Sequence, residues 1–297
     1  MKNLSVAKIT YYTIARVVYA LGYFYGSFRV QNFLVQYLPL QFGRFRHPIG
    51  FTWLISSRDA FRTYIQSCEP YTTKLVLSNF QNLDSFICVG ANRGWYPLLV
   101  GTNNSSTKIY AFECNSRIFD ELAENVREND LNIELAAFAI GEAVSRADLF
   151  MPLNGNEGMA TLFPVGGARS NASMVESVSV TSLDAYFNQR VGDFGRGLIL
   201  MDIEGSEMKA LNGALGILQE YQPSIILEIN PVMLEASGSS ATEIFEFLRK
   251  LDYEINWIDE RGRLEPVGMD NKPPHLRILP PGSGANYLFS TSIDLHI

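Results

Sequence analysis

Short apolar runs alternate along the chain with segments in which apolar residues recur every three or four positions. Five runs are typical of strands covered on both faces: SFICVG, KIYAFE, IELAAFAI, LILMDIE and SIILEIN, which begin at Ser85, Lys108, Ile133, Leu198 and Ser224. Two further strands are predicted near EINWID and NYLFS, toward the C-terminus. The predicted strands are therefore distributed along most of the chain beyond residue 84.

Helical patterns lie between these strands. In SRIFDELAENVREND, apolar residues at Ile118, Leu122 and Val126 are spaced by four, and Ser116 can cap the start of the helix. SEMKALNGALGILQEY and ATEIFEFLRKLDY predict two more helices. Because strands that alternate with helices form parallel sheets, the pattern predicts a three-layer α/β domain.

Residues 141–190 do not follow this alternation. ADLFMPL and ESVSVTSLD have the two-residue period of strands, and the stretch NGNEGMATLFPVGGARSN between them is rich in Gly and Asn. Long loops of this kind are usually lids, binding loops or disordered segments. We expect an inserted hairpin whose connecting loop lies over the active edge of the sheet.

Charge divides the chain near residues 79–84. Residues 1–80 carry nine Lys and Arg against two Asp and Glu, and they hold seventeen of the thirty-six aromatic residues. Residues 81–297 carry fifteen basic and twenty-nine acidic residues. We therefore expect a basic, aromatic N-terminal segment, 1–80, and a main domain, 81–297. The net charge of −7 argues against nucleic acid as a general partner.

The N-terminal stretch ITYYTIARVVYALGYFYGSF predicts one or two helices. It is not expected to span a membrane, because the uncharged run between Arg16 and Arg29 is too short. It can pack on the main domain or form a homodimer contact with a second subunit; the alternative is a peripheral helix on an anionic membrane surface. An odd number of cysteines without zinc-type spacing favours a reducing, cytoplasmic setting.

The first strand of the main domain ends in two glycines, Gly90 and Gly94. Ligands in open α/β sheets bind beyond the carboxyl ends of strands, and glycine allows a ligand to approach the backbone. Glu113 ends the next strand, where its carboxylate can accept both hydroxyls of a ribose. The glycines alone favour an ordinary tight strand-to-helix turn, but together with Glu113 they predict a nucleoside cofactor. Because the turn lacks the GxGxxG pattern of dinucleotide sites, it favours S-adenosylmethionine (SAM).

The same residues carry a family resemblance. CVGANRGWYPLL, IYAFECNSRIFDELAENVREND, LILMDIEGSEMKALNGA and PSIILEIN resemble, in order and spacing, the successive blocks of the FkbM family of SAM-dependent methyltransferases. The resemblance covers about residues 84–290, and DIEGSE is its most specific element. It implies a Rossmann-like class I methyltransferase fold, with a mostly parallel sheet, a C-terminal antiparallel strand and the N-terminal helical segment added to it.

The resemblance also implies roles for individual residues. Gly90, Asn92 and Gly94 would shape the methionine end of the cofactor pocket. Glu113 would hold the ribose, and Ala137 and Phe138 would lie near the adenine.

One position departs from the family pattern. Cys88 stands where the family usually has the aspartate of DVGAN, a residue that fixes the turn or the amino group of the cofactor. This departure leaves open a catalytically weak member of the family. For Cys88 itself, we favour a small buried apolar residue over a reactive thiol.

A hydroxyl acceptor must lose its proton as the methyl group is transferred. The three histidines lie outside the matched blocks, so a carboxylate is the better candidate. Asp202 and Glu204 end the fourth strand and Glu228 lies near the end of the fifth, so their side chains can converge at one edge of the sheet. Together these acids could also hold a divalent metal such as magnesium. For Glu207 we favour a structural role at the start of the next helix.

The resemblance suggests O-methylation of a sugar, a lipid-linked glycan or a natural product, with nitrogen acceptors as an alternative. Two rival classes stay open at this stage. A nicotinamide-dependent oxidoreductase would explain the glycine turn and Glu113 but not the DIEGSE block. A SAM-fold binding protein with little or no activity would be compatible with Cys88.

Overall fold

The computed structural model describes residues 42–47, 49–57, 60–61, 63–64, 69–152, 157–164, 172–188, 194–259, 261–277 and 284–291. The chain divides into two compact units, residues 1–70 and 71–297. The boundary expected from the charge pattern lies about ten residues further along. The helices predicted before residue 40 lie outside the described residues. Within the described part, no helix is long and apolar enough to cross a membrane.

The first unit contains a β-hairpin that the sequence analysis did not predict. Strands β1 (Gly43–Arg46) and β2 (Thr52–Ile55) pair antiparallel. Trp53 is fully buried, and its indole N–H donates a hydrogen bond to the carbonyl of Ala60 at 3.0 Å. Each strand has four residues, which is too short for a two-residue period to stand out from the aromatic background.

The second unit contains the remaining strands and all the helices that are described with defined bounds. The strands are β3 (Ser85–Val89), β4 (Lys108–Phe112), β5 (Ile133–Ala136), β6 (Ala139–Ile140), β7 (Ser145–Pro152), β8 (Ala172–Thr181), β9 (Gly197–Met201), β10 (Ser224–Ile229), β11 (Glu254–Ile258), β12 (Leu264–Pro266) and β13 (Ala285–Ser290). The helices are α1 (Pro70–Asn79), α2 (Trp95–Asn103), α3 (Ser116–Glu128), α4 (Leu183–Phe187), α5 (Glu207–Asn212), α6 (Leu215–Tyr221), α7 (Pro231–Ala236) and α8 (Ala241–Arg249).

The large sheet has the order β5-β4-β3-β9-β10-β13-β11-β12 within the described residues. Strands β5, β4, β3, β9 and β10 are mutually parallel, whereas β13 runs antiparallel to both β10 and β11. This confirms the predicted α/β fold, with its mostly parallel sheet and antiparallel C-terminal strand. The carboxyl ends of β3, β4 and β9 meet at one edge, next to the reversal of strand order between β3 and β9.

Burial explains the patterns that predicted these elements. Every residue of β3 and of β9 is buried, as expected for strands covered by helices on both faces. Helix α3 buries Ile118, Leu122 and Val126, the three residues whose spacing predicted it. Burial of each large apolar side chain contributes about 1.5–3 kcal/mol relative to exposure.

Three local details differ from the prediction. Helix α3 is capped by Asn115, not by Ser116, because the Asn115 side chain accepts a hydrogen bond from the N–H of Ile118. The strand predicted over 133–140 is broken after Ala136, and β6 joins a different sheet. The helix predicted over 206–221 is split at Gly213, where a side chain would clash with the carbonyl of Gly141.

The insertion forms the hairpin that the sequence predicted. Strands β7 and β8 pair antiparallel, and β6 adds to β8 in parallel, so that the three strands make a small separate sheet. Within the connecting loop, residues 157–164 are described. The bridge between Phe150 and Thr161 ties this segment to β7.

The surroundings of Cys88 predict that Cys88→Asp destabilises the protein, and more at pH 8 than at pH 5. Cys88 is 1% exposed, and burial, followed by the negative charges of Asp202 and Glu113, raises the pKa of its thiol. An aspartate here would have a raised folded-state pKa. The loss of unfolding free energy is therefore smallest when the aspartate is protonated, and it grows as the pH rises. We expect a loss of about 3 kcal/mol or more at pH 8, measured by urea denaturation.

Cys88→Ala is the matched control, because its smaller loss should be independent of pH. If Cys88→Asp at pH 8 unfolds at the same urea concentration as the unmodified protein, the strand end accepts the family's aspartate and our interpretation of Cys88 is wrong.

Candidate active site

The site begins where β3 and β9 end side by side. Gly90 has a φ of +76°, and a side chain on it would clash with the carbonyl oxygen of Asp202. The N–H of Asp202 in turn donates to the carbonyl of Val89 at 3.1 Å. The glycine is therefore required by the close approach of two backbone segments, a constraint that exists before any ligand binds.

The second glycine of the turn has a different structural reason. Gly94 has a φ of +95°, and a Cβ atom there would lie 2.6 Å from Cδ1 of Leu122. It thus allows the start of α2 to pack on α3. Asn92 between the glycines has a φ of 48°, a left-handed conformation that asparagine tolerates better than most residues.

Arg93 is a structural member of this turn that the sequence analysis did not single out. Its side chain is 1% exposed, and its Nε donates to Glu121 at 2.7 Å. The side-chain amide of Asn125 donates to the Arg93 carbonyl at 2.9 Å. The turn is therefore anchored to α3 through Glu121 and Asn125.

The carboxylate of Glu113 binds the turn to β4. Its two oxygens accept hydrogen bonds from the N–H groups of Asn92, at 2.9 Å, and of Asn115, at 2.8 Å. Burial raises the pKa of Glu113, and the N–H donors, together with the charge of Arg93, act in the opposite direction. The N–H of Cys114 is a further donor to this carboxylate, and a group with about four lone-pair sites still has room for a ligand hydroxyl. Glu113 can therefore shape the turn and contact a ribose at the same time.

A small cavity of about 50 Å³ lies between these strand ends and the insertion. Of the residues expected to bind the cofactor, Gly90, Glu113 and Phe138 line it; Asn92, Gly94 and Ala137 are not part of its lining. The remaining lining residues are Val89, Phe112, Cys114, Ala139, Ile140, Leu149, Ala160, Leu162, Ile203 and Ser206. A mostly apolar wall with one carboxylate suits an aromatic base attached to a sugar.

The structure brings together the three acids that the sequence proposed as catalytic. Asp202, Glu204 and Glu228 each offer a carboxylate oxygen, and these oxygens lie within 4.8 Å of one another. Although Asp202 remains open to solvent, crowding by protein atoms raises its pKa, and a hydrogen bond with Glu228 acts in the opposite direction. Burial, the charge of Asp202 and the charge of Glu207 raise the pKa of Glu204 to about 8.

The backbone around Glu204 is held from several directions. Glu204 itself has a φ of 49°, an uncommon conformation for a residue with a side chain. Oε1 of Glu207 accepts hydrogen bonds from the N–H groups of Ile203, at 3.3 Å, and of Gly205, at 3.2 Å. Burial and the charge of Asp202 raise the pKa of Glu207 to about 7, against the effect of these N–H donors. These bonds are those of a residue that shapes the loop, which agrees with the structural role favoured for Glu207.

The insertion supplies part of the cavity wall. Leu149, Ala160 and Leu162 line the cavity. The hydroxyl of Thr161 donates to the carbonyl of Glu204 at 2.8 Å, and the ammonium of Lys209 lies 4.5 Å from the ring centre of Phe163. Sequence analysis did not find these contacts, because nothing in the Gly- and Asn-rich loop indicates which of its residues face the sheet.

Residues 89–255 match the model of a family described as the methyltransferase FkbM domain. The chain is similar to the crystal structure of methyltransferase FkbM from Methylobacillus flagellatus KT, with 16% identity, a TM-score of 0.41, and coverage of 78% of this chain and 53% of that one. The chain thus spans about half the length of that protein.

Two other solved structures are similar at the same level. One is the O-methyltransferase from Bacillus cereus in complex with SAH, with 11% identity, a TM-score of 0.42, and coverage of 75% and 81% of the two chains. The other is precorrin-6y C5,15-methyltransferase from Geobacter metallireducens GS-15, with 12% identity, a TM-score of 0.40, and coverage of 76% and 89%. No match was found among curated protein sequences.

The position of Glu113 predicts that Glu113→Gln weakens binding of S-adenosylhomocysteine (SAH) tenfold to a hundredfold. The loss of a hydrogen bond to a charged group corresponds to about 1.5–3 kcal/mol. The melting temperature should fall too, because glutamine has a single acceptor oxygen and cannot accept the N–H bonds of both Asn92 and Asn115. Titration calorimetry measures the affinity, and the exposed Glu128→Gln on α3 serves as control. An unchanged dissociation constant, with intact circular dichroism, would remove Glu113 from the cofactor site.

The raised pKa values predict that the protein becomes less stable between about pH 5 and pH 8. A carboxyl with a raised folded-state pKa binds more protons in the native state than in the unfolded state, so its contribution to stability is lost as the pH rises. Glu204, with a pKa of about 8, extends this loss to the upper end of the range.

Glu204→Gln should therefore make the unfolding free energy depend less steeply on pH. A single titrating proton can change this slope by at most about 1.4 kcal/mol per pH unit, so we expect a smaller change than that. The exposed Glu220→Gln on α6 should leave the slope unchanged. Equal slopes for Glu204→Gln and the unmodified protein would show that Glu204 titrates normally.

Proposed function

The chain belongs to the FkbM family of SAM-dependent methyltransferases, and we propose that it transfers the methyl group of SAM to a hydroxyl oxygen of a sugar, a lipid-linked glycan or a natural product. The observation that supports an oxygen acceptor is the group of three carboxylates, Asp202, Glu204 and Glu228, at the same sheet edge as the cofactor cavity. Family membership also favours methyl transfer over the nicotinamide-dependent oxidation that the glycine turn alone left open.

The cavity fits the cofactor in two respects. Its apolar wall, with Phe112 and Phe138 among its members, suits the purine, and Glu113 offers its free lone pairs to the ribose. Bound SAM supplies a methyl group on a positively charged sulfur, already activated for transfer. The chain then has to orient the acceptor and exclude water. The insertion residues Leu149, Ala160 and Leu162 form part of the apolar wall, which would help to exclude water around a bound cofactor.

The carboxylates are the groups that accept the proton of the acceptor hydroxyl. No histidine is part of the described lining of the cavity. A general base works best when its pKa lies near the working pH, and the crowding of acids here raises pKa values in that direction. We assign to Asp202 the positioning or deprotonation of the acceptor hydroxyl, with Glu228 as its hydrogen-bond partner and Glu204 as a further proton acceptor.

A divalent metal is the second candidate role for the same acids. Two oxygen ligands on opposite sides of Ca²⁺ are about 5 Å apart, and on Mg²⁺ about 4 Å, so oxygens within 4.8 Å of one another could share such an ion after small side-chain adjustments. A metal at Asp202 and Glu228 would lower the pKa of a bound hydroxyl instead of removing its proton directly.

The basic N-terminal segment suggests where the protein acts. We propose a cytoplasmic protein in which residues 1–80, with seventeen aromatic residues, contact a membrane surface or a second copy of the chain. The net charge of −7 argues against nucleic acid as the substrate.

The central experiment replaces Asp202 by Asn, which keeps the size of the side chain but removes its ability to accept a proton or hold a metal well. We expect turnover to fall at least about a hundredfold, the lower end of the typical contribution of general acid–base catalysis, with SAM affinity nearly unchanged. The readout is methyl transfer in a screen of glycans, cell lipids and small hydroxylated acceptors. The exposed Asp120→Asn on α3 is the control.

Addition of EDTA to the unmodified enzyme separates the two roles. A metal site loses activity and regains it with added Mg²⁺ or Ca²⁺, whereas a simple base is unaffected. Full turnover by Asp202→Asn on the true acceptor would contradict both roles and move the assignment to Glu204 or Glu228. SAH binding without methyl transfer to any acceptor would instead favour the binding protein of low activity.

A further inference from the structure

Ser206 is a buried polar residue in the wall of the cofactor cavity that the mechanism above does not use. It is 2% exposed, and its hydroxyl oxygen has no hydrogen-bond partner among the described residues. Its neighbours in the cavity wall include Gly90 and Ile203. A hydroxyl removed from water and left without a partner costs free energy, so its presence in the native state calls for an explanation.

The usual explanation for a serine at this position does not apply. Ser206 is the N-cap residue of α5, yet its side chain makes no capping hydrogen bond. Two other N-cap serines do cap their helices: Ser182 accepts from the N–H of Ala185, and Ser240 accepts from the N–H of Glu243. Ser206 therefore differs from both in that it makes no capping bond, while the residue itself lines the cavity.

The chemistry of the cavity indicates which part of the cofactor this hydroxyl meets. In the described lining, the polar side chains are Glu113, Ser206 and the thiol of Cys114, and the rest of the wall is apolar. Glu113 is assigned to the ribose. The apolar wall fits the faces of the purine, whose ring nitrogens still need a donor at their edge. Ser206 can supply that donor, since a hydroxyl is a much stronger donor than a thiol.

We propose that Ser206 donates a hydrogen bond to a ring nitrogen of the adenine and is thus a cofactor-binding residue. This inference rests on the proposed function of the cavity as the SAM site. It predicts two opposite effects of one substitution. Ser206→Ala removes a buried hydroxyl that is unsatisfied without ligand, so it leaves the unliganded protein as stable or more stable. It also removes a contact with the cofactor, so it weakens binding.

The experiment measures SAH affinity by calorimetry and the melting temperature of the unliganded protein. We expect Ser206→Ala to bind SAH about three- to tenfold more weakly without a lower melting temperature. Ser206→Cys keeps a side chain of similar size with a weak donor, so its SAH affinity should lie between those of the unmodified protein and Ser206→Ala. Ser182→Ala is the matched control: it loses a real helix cap, so its melting temperature falls while its SAH affinity stays unchanged.

Three deaza analogues of SAH, lacking N1, N3 or N7 of the purine, then locate the contact. The analogue that lacks the bonded nitrogen should bind the unmodified protein and Ser206→Ala equally well. If Ser206→Ala weakens all three analogues to the same extent, the hydroxyl does not contact a ring nitrogen and the proposal is wrong.

SAH binding by the unmodified protein distinguishes a failure of the proposed function from a failure of the role of Ser206. If the unmodified protein binds no SAH, both the proposed function and the role of Ser206 are overturned. If it binds SAH and neither Ser206→Ala nor Ser206→Cys changes the affinity, only the role of Ser206 is overturned.

Discussion

The ends of β3 and β9 lie so close together that no side chain fits between them. Gly90 meets the carbonyl of Asp202 there, and the N–H of Asp202 bonds back to Val89. This contact fixes the start of the glycine turn relative to the loop that carries the acids. The turn then reaches Glu113 through the N–H of Asn92. One backbone approach thus sets the distance between a wall of the cavity and the carboxylates, the two parts of the site that a methyl transfer would have to bring together.

Electrostatics add a second constraint at the same edge. Asp202, Glu204 and Glu207 all have raised pKa values, because protein atoms crowd each carboxylate and the charge of Asp202 acts on the other two. An arrangement of this kind is unfavourable to the folded protein by itself as the pH rises. A positive charge beside it, whether the sulfonium of a cofactor or a divalent ion, would offset the repulsion. Binding and protonation at this edge are therefore expected to be linked.

The sequence predicts the parts of this fold that are specified locally. The buried strands have continuous apolar runs, and α3 has its four-residue spacing, so both follow from periodicity. The acids were also predicted to meet, because residues that end parallel strands lie at a common edge. What could not be predicted depends on tertiary contacts. The break at Gly213 reflects the nearby carbonyl of Gly141, and the free hydroxyl of Ser206 is visible only once the helix start and the cavity are both known.

Glu204 shows how these constraints combine in one residue. Its left-handed backbone is strained for a residue with a side chain, and such strain persists only where the surroundings hold it. The Glu207 carboxylate binds the N–H groups on both sides of Glu204, and the hydroxyl of Thr161 binds its carbonyl from the insertion. Because Ala160 and Leu162, the neighbours of Thr161, line the cavity, the segment that forms part of the cavity wall also holds the backbone of an acid beside it. A displacement of that segment would therefore alter the cavity wall and the orientation of Glu204 together.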